Sequence, residues 1–120
     1  MHKLSKAAGW FCSLTIAIAV ANCNPSAHAA EQKIALVIGN AAYPTSKLRN
    51  PVNDAKAMAD KLKALGFDVT LRTDAGQRDM TRAISQFGQK LALGSVSLFY
   101  YAGHGMQVRG KNYLIPIDAE

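Results

Sequence analysis

Ile34, Ala35, Leu36, Val37 and Ile38 follow one another without a polar residue and stop at Gly39-Asn40. A run with no polar face reads as a strand covered on both sides, unlike the alternating pattern of a half-solvated strand. Cover on both sides demands a layered α/β arrangement, with helices above and below a mostly parallel sheet. This run is therefore expected to be the first and central strand.

The segments after it supply the cover. Ala41 to Leu48 has the composition of a loop, and Asn50 is expected to cap a helix with Pro51 at its first position, where a missing N–H costs nothing. Val52, Ala55, Ala59, Leu62 and Leu65 recur at three- and four-residue spacing up to the stop at Gly66. Phe67, Val69 and Leu71 then alternate with Asp68, Thr70 and Arg72, the period of a half-buried strand at or near an edge. A polar turn over Thr73 to Gln77 leads to a second amphipathic helix on Met80, Ala83, Ile84, Phe87 and Leu91, ending near Gly94. Val96, Leu98, Phe99 and Tyr100 make a third strand, broken at Ala102-Gly103-His104-Gly105. From Met106 to Ile117 a short hairpin is expected, turning near Gly110-Lys111-Asn112, with Pro116 confining its return strand to an edge. Strand, helix, strand, helix, strand implies right-handed crossovers and parallel pairing. In such sheets functional groups gather beyond the carboxyl ends of the strands, here Gly39-Asn40 and Gly103-His104-Gly105.

The amino-terminal residues follow a different logic. Lys3 and Lys6 precede an uncharged run from Trp10 to Ala21, and Ala27-His28-Ala29 follows Pro25, the order of an export signal over residues 1–29. The run falls short of the roughly 20 residues of a membrane span, so export to the periplasm or medium without a permanent anchor is expected. Cleavage after Ala29 fits better than lipidation at Cys23, which follows bulky Asn22. The domain then comprises residues 30–120. It carries no cysteine, since Cys12 and Cys23 leave with the signal, and 12 basic residues against 8 acidic ones give a net charge of +4. The basic residues are spread along the chain, so they read as a solvated surface and no nucleic-acid partner is expected.

His104 stands between two glycines directly after an apolar strand, which projects an imidazole from a sheet edge with open backbone beside it. An imidazole titrates near about pH 6.5, suiting it to general acid or base work. Gly105 can turn its amide N–H into a site as an oxyanion donor, or simply make a tight turn. A zinc site is not expected, because His104 is the only histidine of residues 30–120 and no cysteine accompanies it. Gly39-Asn40 lacks the further glycines of a dinucleotide fingerprint. Asp54 lies in the first turn of the first helix, where the dipole favours an acid, and can equally present charge to a basic group on a substrate.

Lys33-Ile34-Ala35-Leu36-Val37-Ile38-Gly39-Asn40, Leu48-Arg49-Asn50-Pro51-Val52-Asn53-Asp54-Ala55, Tyr100-Tyr101-Ala102-Gly103-His104-Gly105 and Asn112-Tyr113-Leu114-Ile115-Pro116-Ile117-Asp118-Ala119 stand in this order. Together they resemble the large-subunit half of bacterial caspase-like cysteine peptidases, relatives of the metacaspases. The resemblance implies the caspase-like open sheet with helices on both faces, cut off after the third strand and the hairpin. It implies His104 as the histidine of a Cys-His dyad and Gly105 as one of two oxyanion-hole amides. Asp54 would line the pocket for a basic substrate side chain, giving cleavage of a peptide or protein after Arg or Lys. Arg49, close by, could neutralise Asp54 or favour an acidic substrate.

In the family the cysteine lies about 50 residues beyond the histidine, whereas 16 residues follow His104 here. The dyad is half present, and the thiol is expected from a further carboxyl-terminal segment. Dyad chemistry requires no metal or organic cofactor. A non-catalytic module that binds a peptide or a partner half is the alternative, and a small nucleotide-binding α/β domain rests on architecture alone. Without the neighbouring strand, the apolar strand from Val96 to Tyr100 has an open edge, which invites pairing. Residues 30–120 expressed alone are expected to oligomerise or to be poorly soluble; a sharp monomer peak in size-exclusion chromatography, with cooperative melting, would contradict this.

Overall fold

In the computed structural model, which describes residues 30–119, the apolar run lies in β1 (Lys33–Gly39), flanked by β2 (Asp68–Thr73) and β3 (Val96–Ala102). The expected export signal, residues 1–29, lies outside the described residues. All three strands are parallel, in the order β2-β1-β3. Every residue of β1 after Lys33 is buried, as a strand with no polar face requires. Alternate side chains divide the core in two. Ala35 and Val37 meet Ala55, Ala59 and Leu62 of α1 (Pro51–Ala64) on one side. Leu36 and Ile38 meet Met80 and Ala83 of α2 (Gln77–Lys90) on the other. Each large apolar side chain so covered contributes about 1.5–3 kcal/mol relative to exposure.

Helix α1 starts at Pro51, as its sequence indicates, but Asn50 takes a helical conformation and its side chain makes no cap bond. The first turn is held instead through the backbone, with the Asp54 N–H donating to the Asn50 carbonyl at 2.9 Å. The other end is a Schellman closure. Gly66 sits at φ +85°, the Gly66 N–H donates to Lys63 O, and the Phe67 N–H donates to Leu62 O, both at 3.0 Å. Leu65, the last residue of the apolar stripe, falls at the cap and is 64% exposed. Ile84 and Leu91, expected on the inner face of α2, are also exposed. Leu91 lies one residue past the helix, and Ile84 sits on a groove rim with Thr81, Leu114 and Pro116.

A two-stranded antiparallel sheet completes the described residues: β4 (Gly105–Val108) and β5 (Lys111–Leu114). Its turn lies at Arg109-Gly110, one residue earlier than the sequence suggests. Val108 pairs with Lys111, so the loop has two residues, both at positive φ (49° and 77°), as a type I′ turn requires. Among the described residues no helix is long and apolar enough to cross a membrane.

At the carboxyl end of β1, a Cβ on Gly39 would collide with the Pro51 carbonyl oxygen and the Ala55 methyl. The absence of a side chain there lets α1 seat on the strand end and brings the Arg49–Asp54 stretch close to it. Gly39→Ala is expected to destabilise the fold by about 1–3 kcal/mol through overpacking. A urea denaturation midpoint equal to that of the wild type would show that α1 does not depend on this contact.

Candidate active site

Beyond the carboxyl end of β1, at one of the two strand ends where functional groups are expected, a single residue ties several segments together. Asn40 is fully buried. Its Oδ1 accepts the Ala75 N–H at 2.9 Å, and its Nδ2 donates to Ala75 O at 3.2 Å, with Ile115 O and Met80 Sδ each at 3.4 Å. Its own N–H donates to Ala102 O of β3 at 2.8 Å. The loop beyond it is fastened by Asp74, whose Oδ1 accepts the N–H groups of Ala41 and Ala42, both at 2.9 Å. Tyr43 thereby comes to lie buried beneath His104.

His104 follows β3 and is half-buried. Its imidazole lies against the Tyr43 ring, with centroids 4.4 Å apart and planes tilted by 54°. Its Nε2 is 2.8 Å from the Ser46 carbonyl oxygen. A carbonyl can only accept, so Nε2 carries the hydrogen in this bond and Nδ1 keeps the lone pair. Such an imidazole is held by one nitrogen and has the other ready to take a proton. It lines a cleft of about 440 Å³ together with Tyr43, Ser46, Gly105, Met106 and Ile115.

Gly105 shares that cleft. In the hairpin ladder it stands opposite Leu114, between pairs that exchange hydrogen bonds: the two-residue turn closes on Val108 and Lys111, and the Ile115 N–H donates to His104 O at 3.0 Å. Alternation makes the Gly105 pair a non-hydrogen-bonded one, so its N–H points away from β5. A Cβ at Gly105 would meet only the Tyr113 carbonyl, at an ordinary 3.4 Å. At Gly103, in contrast, a Cβ would come within 2.6 Å of the Tyr101 hydroxyl and 2.7 Å of the Tyr43 hydroxyl.

Asp54 does not line the His104 cleft. It is exposed on the first turn of α1 and borders a separate groove with Met58, Lys61 and Tyr100. Arg49 is exposed, and among the described residues the ion pairs are Arg82 with Asp79 and Lys90 with Asp68, neither involving Arg49 or Asp54. The structure thus brings His104 and Gly105 together and sets Asp54 and Arg49 apart from them. No three His, Cys, Asp or Glu side chains among the described residues form a metal-binding group.

Tyr43, Tyr101, Asp74 and Asp118 are supporting residues of the site that the sequence reading missed, and Asn40 is a fifth whose place it named without this role. Asp118 Oδ1 accepts the Gln77 N–H at 2.8 Å and so caps α2 from 41 residues away. None of the five belongs to a periodic pattern. The one available signal was a polar or hydroxyl-bearing side chain next to a strand end.

A model of the caspase domain matches residues 32–120. The chain belongs to the caspase-domain family of peptidases. Two curated relatives are similar to this caspase-domain chain over 91 residues at 36% identity: mucosa-associated lymphoid tissue lymphoma translocation protein 1 of Homo sapiens and its homolog in Mus musculus. The match covers 75% of this chain but 11% of each relative. The parallel sheet with a helix on each face is that of a caspase-like fold carrying the elements up to the hairpin.

Beneath the histidine, burial, and after it the adjoining Tyr43 hydroxyl, push the Tyr101 phenol well above its usual range. The folded protein therefore holds this proton more tightly than the unfolded chain, whose phenol titrates at about pH 10. The stability so contributed is full below about pH 10 and is lost as pH rises from there through the higher folded value. Denaturation midpoints across that interval should fall more for the wild type than for Tyr101→Phe; parallel curves would contradict the burial of a neutral phenol.

Proposed function

We propose that this protein is the histidine-bearing part of a cysteine-type endopeptidase of the metacaspase kind, cleaving peptides or proteins after Arg or Lys. The observation that carries the reading is His104, tied through Nε2 to a carbonyl, with Nδ1 free, in one cleft with the Gly105 amide. In the reaction a thiolate attacks the scissile carbonyl carbon and the C–N bond breaks. The imidazolium at His104 gives its proton to the leaving amine, and the Gly105 N–H donates to the oxyanion. Water then attacks the thioester, with the imidazole taking its proton. The exposed Asp54 carboxylate, not paired with Arg49 among the described residues, supports selection of a basic side chain.

Both cysteines of the sequence, Cys12 and Cys23, precede residue 30. In this proposal the thiol comes from a carboxyl-terminal segment beyond these 120 residues, and the chain alone is inactive. We also propose export to the periplasm or medium, with a mature amino terminus at Ala30; amino-terminal sequencing of the natural product tests it.

The experiment assays the longest natural polypeptide carrying this sequence against peptides with Arg, Lys or Asp before the scissile bond, with and without a thiol alkylating agent. Alkylation-sensitive cleavage after Arg and Lys is expected. His104→Ala should lower kcat by about 10²–10⁴-fold, and Asp54→Asn should lower kcat/KM for basic substrates by at least about tenfold. Arg49→Ala should leave that preference in place. A folded polypeptide that binds such peptides and never cleaves them would favour the non-catalytic binding module instead.

A further inference from the structure

The root of the hairpin contains an irregularity that its backbone does not require. His104 and Ile115 occupy the position of a hydrogen-bonded pair, in which two bonds are normally exchanged. One is made, from the Ile115 N–H to His104 O at 3.0 Å. The reciprocal bond is replaced. The His104 N–H donates to the Tyr43 hydroxyl at 2.9 Å, and that hydroxyl lies 2.8 Å from Ile115 O. The Tyr101 hydroxyl is 2.7 Å from His104 O, 2.9 Å from Ile115 O and 3.1 Å from the Tyr43 hydroxyl.

Two hydroxyls carry two protons, and the shortest consistent assignment has Tyr43 donating to Ile115 O and Tyr101 donating to His104 O. The Tyr43 oxygen is then left to accept from His104 N–H. Tyr43 is thus spliced into the ladder as a bridging group, from a loop 61 residues away in sequence, and it holds the His104 backbone off β5. Its ring simultaneously supports the imidazole. Gly103 fits this arrangement, since a side chain there would strike both hydroxyls.

We propose that Tyr43 is a positioning residue for His104. Its hydroxyl keeps the hairpin root open, so that the imidazole reaches Ser46 O through Nε2 and presents Nδ1 to the cleft. Without the hydroxyl, His104 N–H and Ile115 O are free to close on each other directly, which draws His104 toward β5 and away from Ser46. This deepens the peptidase reading and rests on it for its consequence in catalysis, but the geometry at His104 is testable without any activity.

The test uses the longest natural polypeptide with Tyr43→Phe, which keeps the ring and removes the bridge, and with Tyr113→Phe on the exposed hairpin as a control. Two-bond 1H–15N correlation spectra of the imidazole, assigned with His104→Gln and taken where the ring is neutral, report which nitrogen carries the hydrogen. The wild type and Tyr113→Phe should show the Nε2–H tautomer, and Tyr43→Phe a mixture. In the peptidase assay Tyr43→Phe should lower kcat by about 10- to 100-fold with KM nearly unchanged. Should Tyr43→Phe not fold, Gly103→Ala keeps both hydroxyls while driving a methyl into them, and is read the same way. A mixture in Tyr43→Phe beside a locked wild type that shows no peptidase activity would uphold the positioning role and remove the peptidase reading. A locked Nε2–H tautomer in Tyr43→Phe, or unchanged kcat in an active enzyme, would overturn the proposal.

Discussion

A single buried carboxamide joins the parts of this domain that are far apart in sequence. Asn40 has no access to water, so each of its polar atoms must be satisfied within the protein, and an unmet one would cost about 1–3 kcal/mol. Its Oδ1 and Nδ2 close on the two backbone groups of Ala75, binding the end of β1 to the turn before α2. Nδ2 also approaches Ile115 O, the carbonyl on which both tyrosine hydroxyls converge. Fixing that carbonyl fixes the hydroxyls, and fixing the hydroxyls sets both backbone groups of His104. The segment after β5 is drawn into the same structure by the Ile117 N–H on Ala75 O and by Asp118 on the first turn of α2. Pro116 assists, because the residue before a proline is confined to extended conformations, which suits Ile115 to stand as an acceptor at the hairpin root.

What could be read from the sequence divides by range. β1, α1, β2, α2 and β3 each declare themselves in a local period, since burying one face or two imposes a pattern on consecutive residues. The same patterns overreach at element ends: Leu65, Ile84 and Leu91 continue an apolar stripe yet are exposed, because the stripe outlasts the surface it covers. The site residues named from position and resemblance, His104 and Gly105, fall in one cleft. Their supports other than Tyr101 do not announce themselves, because each acts through one side chain on backbone 32 to 75 residues away. Nothing in the neighbourhood of Asn40 or Asp74 marks a partner at that distance. Tyr101 was hidden for another reason: beside Tyr100 it looks like one more strand residue, and its facing was not fixed until the helices were placed.

The two glycines around His104 look equivalent in sequence and are not equivalent in space. Gly103 is compelled by packing, since two hydroxyls stand where its Cβ would be. Gly105 is under no such compulsion among the described residues: its φ is not positive, and a Cβ would meet a single backbone oxygen at ordinary distance. A glycine that neither sterics nor dihedral demands is explained by what approaches it from outside. Its N–H, turned away from β5, is the group such an approach would meet. That argument is independent of His104 and supports the proposed oxyanion role separately.

Strand β3 then organises the two halves of the proposed chemistry by its own alternation. Tyr100 faces the α1 side and borders the groove that holds Asp54; Tyr101 faces the α2 side and sits under the histidine. Successive side chains of one strand thus lead to opposite sides of the sheet. If Asp54 selects the basic side chain, a substrate must cross the carboxyl end of β3 to reach both it and His104. Among the described residues β3 has no strand beyond it, and Phe99 on it is exposed. A polypeptide segment paired along this edge would wall the path between the two sites and could present its own side chains, a thiol among them, to the Nδ1 of His104.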